Sequence, residues 1–244
     1  MKTDFNCRIF DTNVFERLSA SFDGFNKIFS QQINNDLMIL DKLGFHRLIC
    51  TVDHSELDSV ALTLSKIKNL EQFIKKSISL SNRRKFKFFV YPKLILGADV
   101  PYFKDLRKLA LNRSKYIFLE LPAYTAEISD LDEALNKILY NCKLLPVFVN
   151  FQMCNDFYPD DFISRLIKIK SAAFVFSLRN NNFAENIAVI RKIYNSGNLV
   201  LFSTCCDHNN LNQKVILDNL NKLKKELGEQ IYLNIILKSH NFLR

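Results

Sequence analysis

Residues 172–203 read AAFVFSLRNNNFAENIAVIRKIYNSGNLVLFS, and this stretch decides the fold. The runs Ala172–Ser177 and Leu199–Ser203 are rich in Phe, Val and Leu and do not alternate with polar residues, which is typical of strands buried on both faces of a parallel sheet. Between them, residues 184–198 have the apolar spacing of an amphipathic helix, and Gly197 is suited to end it. The stretch therefore predicts a strand, a crossover helix and a second, parallel strand.

The same alternation of short apolar runs and helical segments extends along the rest of the chain. Five further runs predict strands: Cys7–Phe10, Arg47–Val52, Phe86–Leu96, Tyr116–Leu119 and Pro146–Val149. Helical spacing recurs between the runs, as in residues 57–80 and 131–142, and no linker rich in Pro, Gly or Ser divides the chain. We therefore expect one α/β domain over residues 1–244, a single TIM-like β/α barrel of about seven parallel strands.

The composition excludes several kinds of site. Lys and Arg number 34 against 25 Asp and Glu, a formal net charge of +9, and there are only 4 His. The sequence has only 5 glycines, too few for the glycine-rich pattern of a Walker or Rossmann loop. Its 6 cysteines form no CxxC pair, which a zinc or thioredoxin-type site would use. The sequence has neither an apolar leader nor an apolar window long enough for a membrane helix, so we expect a cytoplasmic protein with reduced cysteines.

Nearly every predicted strand is followed at once by an acidic, amide or histidine side chain. These residues are Asp11, Asn13, Asp53, His54, Asp99, Glu120, Asn150, Asp207 and His208. In a β/α barrel the carboxyl ends of the strands converge on one face, where active sites are built. Asp and Asn also begin helices as N-caps, which is a sufficient explanation for any single position. For the set as a whole, including Glu120 inside Phe-Leu-Glu-Leu-Pro, we favour a polar pocket.

Four stretches give the sequence its resemblance to a known family. Residues 96–106, LGADVPYFKDL, are similar to a Gly-Ala-Glu-Ile, Tyr, Asp-Leu pattern, and residues 116–122 to a strand with Leu-Glu-Leu-Pro. Residues 143–150 resemble a Pro-Val-Leu-Ala-His strand, and residues 197–209 lead into a loop like Ser-Asp-Ala-His-Asn. In this order and spacing the chain resembles the bacterial PHP-type (polymerase and histidinol phosphatase) protein-tyrosine phosphatases of capsule and exopolysaccharide loci. The resemblance implies a distorted β/α barrel in which a cluster of divalent ions hydrolyses phosphotyrosine on a polysaccharide-synthesis kinase.

The sequence departs from this family at several of the metal-binding histidines. The His-x-His pair after the first strand is replaced by Asp11-Thr12-Asn13, and Thr-Pro-His by Thr51-Val52-Asp53, although His54 follows. The Ala-His-Pro-Glu-Arg segment corresponds to residues 149–153, VNFQM, which lack both the ligand and the phosphate-binding arginine. Replacing imidazole by Asn substitutes a weak neutral oxygen for a strong nitrogen donor.

Other family positions are kept or changed conservatively. Glu120 and His208 are retained, and Asp99 is a shorter carboxylate in place of Glu. Asp23 and the following glycine resemble an Asp-Gly of the family, whereas Cys206 stands where the final Asp-x-His has its Asp. The resemblance therefore implies a site with fewer metal ligands than the family uses.

Two interpretations of the remaining side chains stay open. An oxygen-rich set with Asp99, Glu120 and His208 would hold a divalent ion such as Mg²⁺ weakly; alternatively, the ring is metal-free and its carboxylates pair with Lys and amides. We expect a pseudoenzyme of the family without a resident cofactor, which binds a polysaccharide-assembly tyrosine kinase or another protein. The alternative is an active phosphotyrosine-protein phosphatase that uses Mn²⁺ or Mg²⁺ at a reduced site of Asp11, Asp23, Asp99, Glu120 and His208.

Two further features of the sequence, a cysteine pair and a basic run, are weaker evidence about function. Cys205-Cys206 is not followed by the CX₅R pattern of a cysteine phosphatase, because the next residues are Asp-His-Asn-Asn-Leu. The basic run Ser81–Lys87 and the net charge of +9 would suit a nucleic-acid-binding barrel, but no known nucleic-acid module accompanies them. We therefore do not expect a nucleic-acid partner.

Overall fold

The structure, a computed structural model, describes residues 2–4, 25–54, 59–81, 85–95, 117–120, 135–136, 147–151, 160–179, 183–204 and 212–241. The strands are β1 (Lys2–Asp4), β2 (Phe45–Asp53), β3 (Lys87–Ile95), β4 (Ile117–Glu120), β5 (Val147–Phe151), β6 (Ala172–Ser177) and β7 (Leu199–Ser203). The helices with defined bounds are α1 (Phe25–Lys42), α2 (Val60–Ser81), α3 (Asp160–Leu166), α4 (Phe183–Asn195), α5 (Gln213–Leu227) and α6 (Glu229–Asn241).

The strands form one parallel sheet of seven in the order β1 to β7, so each strand pairs with its predecessor in the chain. The protein is thus an α/β fold whose chain advances across the sheet in one direction. The outermost strands, β1 and β7, lie in contact with each other, which shows that the sheet is strongly curved. This curvature gives the sheet an outer face, covered by helices, and an inner face.

Two apolar clusters fill the two faces of the sheet. The outer cluster combines helix residues with outward strand residues such as Phe174 and Phe176. The inner cluster contains strand residues only, among them Phe118, Val175 and Leu201. All six residues of β6 are buried, and the first five, Ala172–Phe176, are all apolar. The burial of both faces explains why hydropathy predicted β6 and β7 with the bounds that the structure shows.

The start of the sheet differs from the sequence prediction. The predicted first strand, Cys7–Phe10, lies outside the described residues, and the structure has a strand at Lys2–Asp4 that hydropathy does not reveal. Backbone contacts hold this short polar strand: the Lys2 N–H donates to the Gly44 carbonyl at 2.9 Å, and residues 2–4 pair with β2. The strand is therefore specified by its pairing with β2 rather than by an apolar run.

Basic side chains bind the carboxyl ends of four helices near the amino end of the sheet. Lys2 donates from Nζ to the carbonyl of Leu43 after α1 at 2.9 Å, and Arg47 to that of His240 in the last turn of α6 at 2.6 Å. Lys170 and Arg191 make similar bonds to carbonyls at the ends of α4 and α5. Cations are favourable there because helix carboxyl ends carry partial negative charge. Part of the net positive charge therefore has a role in the fold.

Candidate functional site at the carboxyl ends of the strands

The predicted site residues differ in how far the structure describes them. Asp53 and His54 are described with their side chains, and Glu120 and Asn150 through their backbone. The other predicted residues lie outside the described ranges: Asp11, Asn13, Asp23, Asp99, Cys206, Asp207 and His208. The described part of the candidate site therefore lies on the strands β1 to β7.

Backbone register brings Glu120 and Asn150 side by side. The Cα atoms of the two residues are partners across β4 and β5, and Glu120 also pairs with Ile95 of β3. Parallel strands lie about 4.8 Å apart, so the two positions are direct neighbours at the carboxyl end of the sheet.

The central interaction at this end is an ion pair that the sequence analysis did not identify. Lys93 Nζ lies 3.1 Å from Asp53 Oδ1, and the Cα atoms of the two residues are partners across β2 and β3. The lysine side chain is only 4% exposed, whereas the aspartate side chain is 48% exposed. Asp53 thus lies toward the open end of the sheet, with the ammonium beneath it.

Strand geometry explains why Lys93 lies on the inner face. Side chains alternate along a strand, and Tyr91 and Phe89, two and four residues before Lys93, pack against the inner cluster. The Tyr91 ring stacks on Phe118 with centroids 6.2 Å apart, so the inner face of β3 is apolar and aromatic before Lys93. Removing an ammonium from water costs several kcal/mol unless a partner of opposite charge compensates for the lost hydration. Asp53 is such a partner.

His54 fixes the end of β2 to β3 and to α2. Its backbone N–H donates to the Lys93 carbonyl at 2.8 Å, which keeps the two strands in register beside the ion pair. Its Nδ1 lies 2.7 Å from the hydroxyl of Thr63, a fully buried residue of α2. The described contacts of His54 thus orient the imidazole toward a helix.

Hydroxyl groups occupy the neighbouring strand ends. Ser177 and Ser203 are Cα partners at the ends of β6 and β7, and both are buried. The Ser177 hydroxyl accepts a hydrogen bond from the Arg179 N–H at 3.2 Å, and the Leu178 N–H donates to the Ser203 carbonyl at 2.7 Å. We define the carboxyl-end site as Asp53, Lys93, Ser177 and Ser203, which alternation places on the inner face.

A buried carboxylate connects the first and last strands. Asp4 at the end of β1 accepts hydrogen bonds from the backbone N–H of Thr204 at 2.9 Å and from the Thr204 hydroxyl. Both residues are buried. The contact lies directly before the two chain segments that hold the predicted residues Asp11, Asn13, Cys206 and His208.

Lys93, Ser177 and Ser203 were missed by sequence reasoning because they lie inside the apolar runs rather than after them. The signal for Lys93 was present, since a charged side chain interrupts the run Phe86–Leu96 in phase with Phe89 and Tyr91. Asp4 had no comparable signal, because its partner is 200 residues away in sequence.

Among the predicted pocket residues, those with described side chains are Asp53 and His54. In the part of the chain that the structure describes, no three His, Cys, Asp or Glu side chains come together as a metal-binding group. The one predicted ring carboxylate whose side chain is described, Asp53, has a buried ammonium as its partner instead.

Two further observations concern the class of protein. Among the described helices, none combines the length and the apolar character that crossing a membrane requires. Cys50 is a buried free thiol, and the other five cysteines lie outside the described residues. Fold and site together define an α/β protein with a parallel sheet and a charged pair inside its carboxyl end.

Comparisons with known proteins do not define the class of this protein further. No protein-family model and no curated protein matches the chain. Among solved structures, the chain is similar to a dihydropteroate synthase of Xanthomonas albilineans at 10% identity, with 84% of this chain and 88% of that chain covered. The TM-score is 0.31, which is too low to support an argument about fold or activity.

Proposed function

We propose that this chain is a diverged, non-hydrolytic member of the PHP-type protein-tyrosine phosphatases, a closed seven-stranded barrel whose carboxyl end binds a ligand without a metal cluster. The sequential order of the parallel strands supports the barrel, as does the bonding of Asp4 to Thr204 between the outermost strands. The sequence resemblance supports the family.

The ion pair of Lys93 and Asp53 carries the proposal. In the resemblance, Asp53 stands at the position of a metal-binding histidine. A divalent ion on this carboxylate would face the lysine ammonium nearby, and like charges at 4 Å repel by about 4 kcal/mol per unit charge at an effective dielectric constant of about 20. The lysine therefore opposes a divalent ion at this position.

The proposal gives the carboxyl-end site a binding role. Charged groups are rarely kept inside a sheet for stability, because an apolar pair of similar size is often at least as stable. At the carboxyl ends of parallel strands, such groups instead are typical of ligand sites. The partner that the family resemblance suggests is a tyrosine kinase of polysaccharide assembly, or another protein of that assembly.

Phosphatase turnover tests the proposal. The purified protein is assayed with para-nitrophenyl phosphate and a phosphotyrosine peptide in the presence of Mn²⁺, and then of Mg²⁺. We expect hydrolysis at the level of the buffer, since the loss of each metal ligand or its support commonly lowers activity by about 10–100-fold. Metal-dependent turnover that Glu120→Gln or His208→Ala abolishes would overturn the proposal. That outcome would favour the active hydrolase with a reduced carboxylate site.

A further inference from the structure

The exposed surface of the last helix, α6, differs from that of the helix before it. The exposed residues of α5 are mostly charged: Lys214, Leu217, Asp218, Asn221, Lys222, Lys224, Lys225 and Glu226. Those of α6 carry charge only near its two ends: Glu229, Gln230, Leu233, Leu237, Lys238 and Asn241. A solvated helix face is normally charged, so the uncharged middle of α6 requires an explanation.

Two leucines occupy the middle of this face. Leu233 is 44% exposed and Leu237 is 58% exposed, and their spacing of one helical turn places them side by side. Among the described residues, no other helix has two exposed large apolar side chains. Beside them, the amide of Gln230 donates to that of Asn234 at 3.5 Å. Apolar and amide side chains with charges only at the margin are the pattern of a protein interface.

We infer that α6 is a self-association surface, on which the α6 helix of a second copy of this chain lies antiparallel about a two-fold axis. Charge complementarity identifies the occupant, because α6 has an acidic residue, Glu229, in its first turn and a basic residue, Lys238, in its last turn. Antiparallel pairing brings the acidic end of one helix beside the basic end of the other and opposes the two helix dipoles. It also places Leu233 opposite Leu237 of the partner subunit, and the two-fold axis repeats this contact.

The size of the helix determines the strength of the dimer. The 13 residues of α6 span about 20 Å, so a contact between two such helices buries less than about 1,200 Å² in total. Interfaces of this size belong to weak and reversible complexes. The dimer therefore has a Kd of the order of 10 µM and dissociates on dilution. This inference goes beyond the proposed function and is independent of it.

The test is sedimentation velocity of the full chain over a range of concentrations that brackets this Kd. Leu237→Glu raises the Kd by about 30-fold or more, since the two-fold axis places the buried charge in the interface twice. Leu217→Glu on α5 is the matched control, because this leucine is also 44% exposed and the change in charge is the same. The control keeps the Kd of the wild type. Both positions are exposed, so both variants fold, which circular dichroism verifies.

A charge-swap experiment tests the orientation of the two helices. Leu233→Glu and Leu237→Arg each weaken the dimer alone, whereas an equal mixture of the two forms a heterodimer, because antiparallel pairing sets the glutamate opposite the arginine. Recovery in a mixture of Leu237→Glu with Leu237→Arg, but not in the first mixture, would indicate parallel helices and contradict the inference.

Three other outcomes overturn the inference. The first is a wild type that stays monomeric at every concentration, and the second is a dimer that Leu237→Glu weakens no more than Leu217→Glu does. The third is a monomer that sediments with phosphatidylglycerol vesicles and loses this binding in Leu237→Glu, which would assign the face to a membrane surface. Because sedimentation measures no turnover, none of these outcomes bears on the pseudoenzyme proposal.

Discussion

The two ends of the sheet use charge in opposite ways. At the amino end, Lys2 and Arg47 donate to carbonyls at helix ends, and Asp41 bridges His46 and Lys85 near the surface. At the carboxyl end, Lys93 and Asp4 lie buried, each with a specific partner on a neighbouring strand. Cations at helix carboxyl ends stabilise a fold at little desolvation cost, whereas buried charges are costly. The amino end thus uses charge to complete helix ends, and we propose that the Lys93–Asp53 pair of the carboxyl end serves binding.

The largest effect is expected at the contact between β1 and β7. Asp4→Ala leaves the Thr204 N–H and hydroxyl without their acceptor in a buried place, so we expect a loss of about 3 kcal/mol in the free energy of unfolding. Urea denaturation followed by circular dichroism measures it. Asp160→Asn, on an almost fully exposed side chain, should change stability by less than about 0.5 kcal/mol. Equal effects of the two changes would show that Asp4 does not hold the strands together.

The ion pair should respond asymmetrically to the loss of either partner. Asp53→Asn leaves a buried ammonium without its carboxylate and is expected to cost about 2 kcal/mol. Lys93→Met leaves a half-exposed carboxylate that water can solvate, so we expect a change below about 1 kcal/mol. Urea denaturation of both variants without added anion gives the two values. A greater loss in Lys93→Met would mean that the lysine serves stability, and the contrast between the two ends of the sheet would fail.

A smaller effect is expected at His54. Thr63→Val removes the hydroxyl partner of Nδ1 while keeping the shape of a buried side chain, and should cost about 1 kcal/mol. The histidine ¹⁵N chemical shifts, recorded with the denaturation curve, report whether the tautomer changes. An unchanged stability and unchanged shifts in Thr63→Val would show that this hydrogen bond does not orient the imidazole.

The smallest effect concerns pH at the amino end. The hydrogen bond from Lys85, and then the contact with His46, hold the pKa of Asp41 below its ordinary value of 3.8. A lowered folded-state pKa contributes stability above the unfolded pKa, and this contribution is lost as pH falls through the folded pKa. The stability difference between the wild type and Asp41→Asn should therefore shrink as pH falls below 3.8. If the stability difference between the two proteins stays constant through this acid range, the charge of Asp41 does not stabilise the fold.

The two strands β6 and β7 were predictable from the sequence, for a physical reason. Ala172–Ser177 and Leu199–Ser203 are buried on both faces, so their apolar runs give the strand bounds directly. Lys2–Asp4 could not be predicted in this way, because pairing with β2 and contacts after α1 hold a polar segment in the sheet. The strength of a local signal thus depends on whether the strand is stabilised by its own apolar residues.

The site was predictable only in part. The positions of Glu120, Asn150 and Asp53 at strand ends follow from the alternation of strands and helices. The partner of Asp53 does not, because the register that places Lys93 beside it is a property of the assembled sheet. The metal-free alternative predicted that carboxylates pair with lysines, without naming the lysines. Among the described residues, the structure shows Asp53 paired with Lys93. Residue-level pairing requires the register, which a single sequence does not specify.

The metal content of the purified protein tests the central claim most directly. The protein is expressed with Mn²⁺, Fe²⁺ and Zn²⁺ in the medium, purified without chelators and analysed by inductively coupled plasma mass spectrometry. Because Lys93 pairs with Asp53, which on the sequence resemblance alone stands at a metal-ligand position, we predict well below one transition-metal ion per chain. Two or more ions per chain, retained through dialysis and lost in Glu120→Gln, would contradict the account.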